Sequence, residues 1–241
     1  GERVFWQAQA IAEGTNFKDM LKEKRDKKEL ASDREWIDFA DMLLRSVADI
    51  QGEGVIHKDI KPDNMFVKMG DDGKLEKITI IDFGTAELLF EGGSRFLKLA
   101  MGTPIYAPKQ TFENLSSGSS IYNSKTDLFA LGCILYEMLH GEGPYDPSSE
   151  GYSMEDTTEW LARREKVNDQ FKLRKDLQSP CDPFIVRLLD EGENGIKDID
   201  EAVREFAKIK RRFEAEAASM TRRSLTPAET RHVAAMMSEK F

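Results

Sequence analysis

The most constraining feature of the sequence is the segment TDLFALGCILYEML (residues 126–139), which is apolar on almost every side of a helix. A helix that is apolar all round is expected in a protein core, because every face of it would lose hydrophobic stabilisation in water. The segment is shorter than the ~20 residues that span a bilayer, and no other apolar stretch reaches that length. The sequence therefore predicts a soluble protein without a membrane span, folded around this helix.

The composition agrees with an ordered chain and limits its partners. Of the 241 residues, 40% are hydrophobic, which is typical of globular proteins and too many for a disordered one. The net charge of −9 argues against broad binding to nucleic acid, which needs clustered Lys and Arg. Cys133 and Cys181 lie far apart and have no metal-binding spacing, so we expect reduced thiols and an intracellular location, cytoplasmic or nuclear.

Further helices are predicted before and after this core segment. Residues 16–30 are helical by composition, with charges of both signs. Ser32 and Glu35 form a capping box that begins a long amphipathic helix. Residues 198–220 are also amphipathic, and a final helix is expected to begin at Thr226.

Short strands fill the region between the capping-box helix and the core helix. The first strand is expected at residues 55–56. Two more, at 65–67 and 78–81, are separated by the glycine-containing turn at 70–73 and are predicted to form a hairpin. The sequence thus predicts a mainly helical domain with small hairpins.

Residues that can bind a metal or accept a proton stand at the ends of these strands. Asp59 and Asn64 lie in the loop HKDIKPDN (57–64), and Asp82 follows the second hairpin strand, so the hairpin allows the three to converge. Phosphoryl transfer needs a carboxylate that orients and deprotonates the attacking hydroxyl, and oxygen ligands for Mg²⁺. Lys61 would supply a cation near the γ-phosphate.

Four motifs, in order, resemble the eukaryotic-type protein kinase family. HKDIKPDN is similar to the catalytic loop, IDFG to the magnesium motif, GTPIYAP to the end of the activation segment, and TDLFALGCILYEMLHGEGPY to the buried helix that follows it. The resemblance implies an α+β protein-kinase-like fold, mainly its helical C-lobe. It further implies a kinase that transfers the γ-phosphate of ATP to Ser or Thr of a protein substrate. Aminoglycoside- and choline-kinase-like enzymes are the less favoured alternative. They share the Asp59–Asn64 spacing and a downstream aspartate, but they lack the DFG motif, the GTPIYAP segment and a lysine at the position of Lys61.

The resemblance assigns a role to each matching residue. Asp59 would be the catalytic base, and Lys61 would contact the γ-phosphate. Asn64 and Asp82 would bind Mg²⁺ and thereby the phosphates of ATP. Two residues would form part of the hinge that receives the adenine: Ala10 and Ala12.

Four further residues would support these groups. Thr103 resembles the residue that hydrogen-bonds the catalytic aspartate and lysine. His57 and Phe83 resemble packing residues that hold the two loops in register. Asp127 would either tie down the backbone of the catalytic loop or act as an ordinary N-cap of its own helix.

The sequence departs from the family at its beginning. Residues 1–15 resemble the last strand and hinge of the N-lobe, and 16–241 the C-lobe, so we expect most of the N-lobe, with its glycine-rich loop, to be absent from this chain. Three explanations stay open: a truncated or cleaved chain, a separate N-lobe or regulatory protein supplied in trans, and a divergent class without that loop. The alternative function is a catalytically weak or inactive pseudokinase that acts as a protein-binding scaffold.

Two substitutions also depart from the family pattern. Lys58 stands where regulated members have arginine, so activation through a phosphate on Ser94 is less favoured. Lys109 stands where the family has a glutamate that pairs with an arginine near the C-terminus, here expected at 222–223. Either Glu113 substitutes for that glutamate or the ion pair is missing.

Overall fold

The computed structural model describes residues 11–88, 95–97, 103–113, 120–145 and 179–224. The chain divides into two compact units, residues 1–203 and 204–241. In the second unit the described part is a single helical segment, residues 204–224. The first unit carries the other elements named below.

The elements follow the order expected from the sequence. The described helices are α1 (Phe17–Asp26), α2 (Asp33–Gly52), α3 (Gln110–Glu113), α4 (Ser124–His140), α5 (Asp182–Leu189) and α6 (Ile199–Ser224). The described strands are β1 (Thr15–Asn16), β2 (Val55–Ile56), β3 (Met65–Met69), β4 (Leu75–Ile80), β5 (Glu87–Leu88), β6 (Arg95–Leu97) and β7 (Ser120–Tyr122). Three short 3₁₀ helices lie at Pro62–Asn64, Phe83–Thr85 and Pro104–Tyr106. The helix predicted from Thr226 falls outside the described residues.

Helix α4 lies in the core of the first unit. Every residue from 126 to 139 is buried, which confirms the prediction from the apolar segment. The indole of Trp36 on α2 donates a hydrogen bond to the Leu135 carbonyl at 2.9 Å. At Gly132 a side chain would come within 2.8 Å of Leu189, so glycine permits the close approach of α5. No helix in the described residues is both long and apolar enough to cross a membrane.

The predicted capping box begins α2. The Glu35 N–H donates to the Ser32 hydroxyl at 3.3 Å, and the Glu35 carboxylate accepts from the Ser32 N–H at 2.9 Å. These two bonds satisfy backbone donors that a helix start otherwise leaves unpaired. The buried face of α2 packs against α4, as its apolar spacing predicts.

The predicted hairpin is formed by β3 and β4, whose strands are longer than the sequence suggested. Residues 70–73 make the turn, with Gly73 at φ 74° and the Gly70 N–H bonded to the Lys74 carbonyl at 2.8 Å. Met65 pairs with Ile80, so the residues just before β3 and just after β4 meet at the same end of the hairpin. This register brings the two polar loops of the sequence together. Strand β2 pairs separately with β5.

Candidate active site

A buried carboxylate on α4 holds the loop that follows β2 by accepting hydrogen bonds from its backbone. Asp127, only 1% exposed, accepts the backbone N–H groups of His57 and Lys58 at 3.0 Å each, and the Gln51 amide at 3.2 Å. Burial raises the pKa of the Asp127 carboxyl, and the two backbone donors partly offset this. Asn123, not Asp127, caps α4. Asp127 therefore holds the backbone of the loop after β2, which is the first of the two roles considered for it.

Asp59, Lys61 and Thr103 form a closed triangle of hydrogen bonds, which we call the catalytic triangle. The Lys61 ammonium lies 2.8 Å from Asp59 Oδ2 and donates to Thr103 Oγ1 at 2.8 Å. The Thr103 hydroxyl donates to Asp59 Oδ1 at 2.8 Å. This confirms the contacts predicted for Thr103, and it fixes both the carboxylate and the cation.

Asn64 adds a second restraint on the same carboxylate. Its amide nitrogen donates to Asp59 Oδ2 at 3.1 Å and to the Asp59 carbonyl at 2.9 Å. Since the nitrogen is bonded in this way, the Asn64 amide has its oxygen left to act as a ligand. Among the described residues, Asp59 Oδ2 accepts two donors and Oδ1 accepts one, so Oδ1 keeps more capacity for a further hydrogen bond.

His57 connects this loop to the segment after β4. Its Nε2 lies 2.9 Å from the Ile81 carbonyl, and its Nδ1 accepts the Asp59 N–H at 3.3 Å. The two contacts together fit a neutral imidazole with its proton on Nε2. The Phe83 ring packs edge-on at 4.8 Å. The contact between His57 and Phe83 that was expected to hold the loops in register is thus confirmed.

Asp82 is held much less tightly than Asp59. It is exposed, and its backbone is left-handed (φ 61°, ψ 69°), a conformation that aspartate tolerates better than most residues. Its Oδ1 accepts the Gly84 N–H at 3.2 Å. Within the described part of the chain, neither Asp82 Oδ2 nor Asn64 Oδ1 accepts a hydrogen bond. These two oxygens are hard donors of the kind that Mg²⁺ prefers.

Two oxygen ligands, Asn64 Oδ1 and Asp82 Oδ2, are too few to hold a metal ion by protein groups alone, but they are enough for magnesium. Groups of three or more His, Cys, Asp or Glu side chains that could hold a metal are not found among the described residues. Mg²⁺ usually takes only one or two protein ligands and completes its shell with phosphates and water. Asn64 and Asp82 therefore fit a magnesium ion that arrives with a nucleotide.

The residues predicted to form the hinge are described only in part. Ala10 lies outside the described residues, and Ala12 is half-buried just before β1. The backbone at Gly14 passes so close to β3 that a side chain there would lie 2.3 Å from the Val67 carbonyl oxygen. Glu13 pairs with Lys68 at 3.0 Å. The segment after the predicted hinge therefore runs along β3, the strand that directly follows Asn64.

The segment that carries Thr103 is fastened to α4. The Tyr106 hydroxyl donates to Glu137 at 3.2 Å, and burial together with that carboxylate raises the pKa of the tyrosine. The Cys133 thiol donates to the Ile105 carbonyl at 3.4 Å. These contacts explain how Thr103 is held in place, 42 residues beyond Lys61 in the chain.

Lys58 has a partner that the sequence did not reveal. Its side chain is buried, with the ammonium 3.0 Å from Glu87 Oε2 on β5 and 5.0 Å from the centre of the Tyr122 ring. An internal carboxylate therefore neutralises the cation at the position where regulated family members have arginine. Ser94, the candidate for phosphorylation, lies outside the described residues.

The proposed replacement for the ion pair of Lys109 stays a prediction. The side chains of Glu113 and of residues 222–223 lie outside the described part, and Lys109 is half-buried. Next to it, the Gln110 N–H donates to Glu191 at 3.3 Å.

Sequence reasoning also missed the attachment of α1 to the catalytic loop. Asn16, the N-cap of α1, donates from its amide nitrogen to the Asp63 carbonyl at 2.9 Å, and Lys18 pairs with the Asp63 carboxylate. The asparagine directly before a helix was the available signal for the cap. Nothing in the spacing indicated the bond across 47 residues.

Sequence comparison shows which known proteins this chain is similar to. Residues 4–202 match the family described as "protein kinase domain". A probable serine/threonine-protein kinase of Dictyostelium discoideum, fhkD, is 29% identical over 151 residues, which cover 60% of this chain and 19% of the relative. Serine/threonine-protein kinase ppk34 of Schizosaccharomyces pombe is 36% identical over 107 residues, 44% of this chain and 28% of the relative. Serine/threonine-protein kinase MRCK alpha of Mus musculus is 32% identical over 166 residues, which cover 66% of this chain and 9% of the relative. The chain thus spans less than a third of each of these relatives.

Proposed function

The chain belongs to the protein kinase domain family, and on that premise we propose that it transfers the γ-phosphate of ATP to Ser or Thr hydroxyls of a protein substrate. The catalytic triangle carries this proposal. A carboxylate fixed beside a cation, with ligands for Mg²⁺ one loop away, is what transfer to a hydroxyl requires. The relatives above are all named as serine/threonine-protein kinases, which supports the choice of substrate class.

Asp59 would act as the base through Oδ1. That oxygen already accepts the Thr103 hydroxyl at 2.8 Å and has capacity for the hydroxyl of a substrate. The substrate oxygen attacks the γ-phosphorus, and its proton passes to Asp59. The bond between the γ-phosphorus and the bridging oxygen of ADP breaks at the same time, so ADP leaves with the electron pair.

Lys61 would stabilise the charge that develops on the transferred group. An ammonium carries three donors, and two of those of Lys61 are directed to Asp59 and Thr103. The third is left for an oxygen of the γ-phosphate. Because Lys61 is 22% exposed, its charge is less screened than that of a lysine in open solvent.

Asn64 and Asp82 would hold the magnesium ion, and Ala10 and Ala12 would receive the adenine. The ion supplies neutralisation of the phosphate charge. The chain's own contribution is to present Asn64 Oδ1 and Asp82 Oδ2, neither of which accepts a hydrogen bond from the residues that the structure describes. Assignment of residues 1–15 to the end of the N-lobe and of 16–241 to the C-lobe belongs to the same proposal.

The test is phosphate transfer by the natural protein that contains this chain, measured with labelled MgATP and Ser/Thr protein substrates. Asp59→Asn should lower turnover by at least ~10²-fold, because general-base groups contribute about 10²–10⁴. The matched control is Asp63→Asn in the same loop, where the carboxylate pairs with Lys18 and is 42% exposed; this variant should keep the wild-type rate.

Two results would contradict the proposal. Activity that survives Asp59→Asn would remove Asp59 from the role of base. A wild-type protein that transfers phosphate to no Ser or Thr substrate would instead favour the pseudokinase interpretation.

A further inference from the structure

A cavity of about 410 Å³ lies between α1, α2 and the β3–β4 hairpin. We call it the α1–α2 pocket. Its volume falls within the ~300–1,000 Å³ of pockets that bind small molecules. Phe17 and Phe39 line it, with ring centroids 4.5 Å apart, and Met138 of α4 also contributes. None of the residues that line it belongs to the catalytic triangle or is Asn64 or Asp82.

The hairpin shapes one wall of this pocket. The strand register shifts between Lys68 and Met69, so Met69 pairs with Leu75 next to the turn. Both side chains line the cavity, and Met69 is 47% exposed. The exposed part of the Met69 side chain is apolar surface in contact with water. A ligand in the pocket would cover that surface, which favours binding.

Three of the lining residues are methionines: Met20, Met69 and Met138. The methionine side chain is unbranched and flexible, so it adapts to the shape of what it contacts. The pocket is therefore suited to apolar molecules of varied outline.

The charged residues at the pocket are already paired with one another. Lys24 bonds Glu35 at 2.9 Å, and Arg34 bonds Asp38 at 2.8 Å; all four line the cavity. Lys74, also in the lining, bonds Asp72 at 2.8 Å. A charged ligand would have to lose water against apolar walls and would meet cations whose charge is already balanced. The lining thus favours an uncharged ligand.

We infer that the α1–α2 pocket is a second ligand site, which binds an uncharged, largely apolar small molecule. The inference does not depend on the proposed phosphoryl transfer, because the pocket and the catalytic triangle share no residue.

The probe for the test is N-phenyl-1-naphthylamine, a neutral aromatic dye whose fluorescence rises in apolar surroundings. We expect saturable binding of one dye per chain by the complete protein. Ala31→Phe, which fills the cavity, should weaken binding by at least about tenfold, or ~1.4 kcal/mol. The matched control is Ala48→Phe, at another half-buried alanine that does not line the pocket; its affinity should equal that of the wild type.

A second variant covers the case in which Ala31→Phe fails to fold. Met69→Lys puts a charge into the lining at an exposed position and should also weaken binding at least about tenfold, whereas Leu88→Lys, at an exposed leucine outside the lining, should not. The sulfonated analogue of the dye should bind the wild type more weakly. No saturable binding, equal affinities for Met69→Lys and the wild type, or tighter binding of the sulfonated dye would each overturn the inference.

Discussion

The two halves of the candidate active site differ in how firmly the chain holds them. Asp59 receives hydrogen bonds from Lys61, Thr103 and Asn64, and its loop is tied to the buried Asp127. Asp82 is exposed, and among the described residues its side chain receives one hydrogen bond, from the Gly84 backbone. Both residues follow short strands, so strand position alone does not explain the difference.

The difference in hydrogen bonding between Asp59 and Asp82 corresponds to a difference in their proposed roles. A base must be held in place before the reaction, whereas a metal ligand can be held by the metal that it binds. A base works only if its geometry is set before the reaction, and internal hydrogen bonds provide that without any ligand. A metal ligand needs free lone pairs, and internal hydrogen bonds to both of its oxygens would compete with the metal. We therefore interpret the catalytic triangle as fixed by the chain itself. In the same interpretation, the position of Asp82 would become fixed only when magnesium and nucleotide bind.

The largest expected effect on stability comes from breaking the hydrogen bonds between Asp127 and the backbone of the loop after β2. In Asp127→Asn the amide NH₂ would face a backbone N–H of His57 or Lys58, which leaves two buried donors unsatisfied, that N–H and the amide NH₂. Each such group costs about 1–3 kcal/mol, so we expect the free energy of unfolding to fall by about 2–6 kcal/mol in denaturant titration. Asp49→Asn, on the exposed side of α2, is the control and should change it little. A loss below ~1 kcal/mol would mean that the loop does not depend on Asp127.

A somewhat smaller loss is expected from the buried lysine next to Asp59. Lys58→Met removes the ammonium that lies 3.0 Å from Glu87, whose side chain is only 17% exposed, and this should cost about 2–3 kcal/mol, slightly less than for a fully buried pair. Lys58→Met combined with Glu87→Leu should regain most of this, because neither charge is then left alone. If the stability loss of the double variant equals the sum of the losses in Lys58→Met and Glu87→Leu alone, Glu87 is not the stabilising partner of Lys58.

The smallest change tests the catalytic triangle itself. Thr103→Val keeps the shape but removes the hydroxyl that joins Asp59 to Lys61, so phosphate transfer should fall by about tenfold with a stability loss of ~1 kcal/mol. Thr103→Ser keeps the hydroxyl and should stay near the wild-type rate. Equal rates in Thr103→Val and Thr103→Ser would show that the hydroxyl does not position the base.

Much of this arrangement could be predicted because its causes are local in sequence. The capping box of Ser32 and Glu35 acts across three residues, and the hairpin follows from its turn at 70–73. Four motifs in family order were enough to anticipate the contacts of Thr103 and the packing of His57. In each case the residue types and their spacing carried the information.

The sequence did not reveal contacts that depend on how distant segments pack. Glu87 lies 29 residues beyond Lys58, and no spacing rule connects them. Substituting lysine for arginine was correctly seen as a departure, but its consequence required knowing which carboxylate lies within 3.0 Å. The α1–α2 pocket could not be predicted for the same reason, since its walls come from α1, α2, α4 and the two strands of the β3–β4 hairpin.

The most direct test of the division within the site is the thermal shift that MgATP causes in the complete natural protein, in wild type, Asp82→Asn and Asp59→Asn. Ligand binding to the folded state raises the Tm, so the shift measures nucleotide binding without turnover. We predict that Asp82→Asn loses the magnesium-dependent part of the shift, whereas Asp59→Asn keeps it while losing phosphate transfer. Loss of the shift in Asp59→Asn with retention in Asp82→Asn would contradict the account.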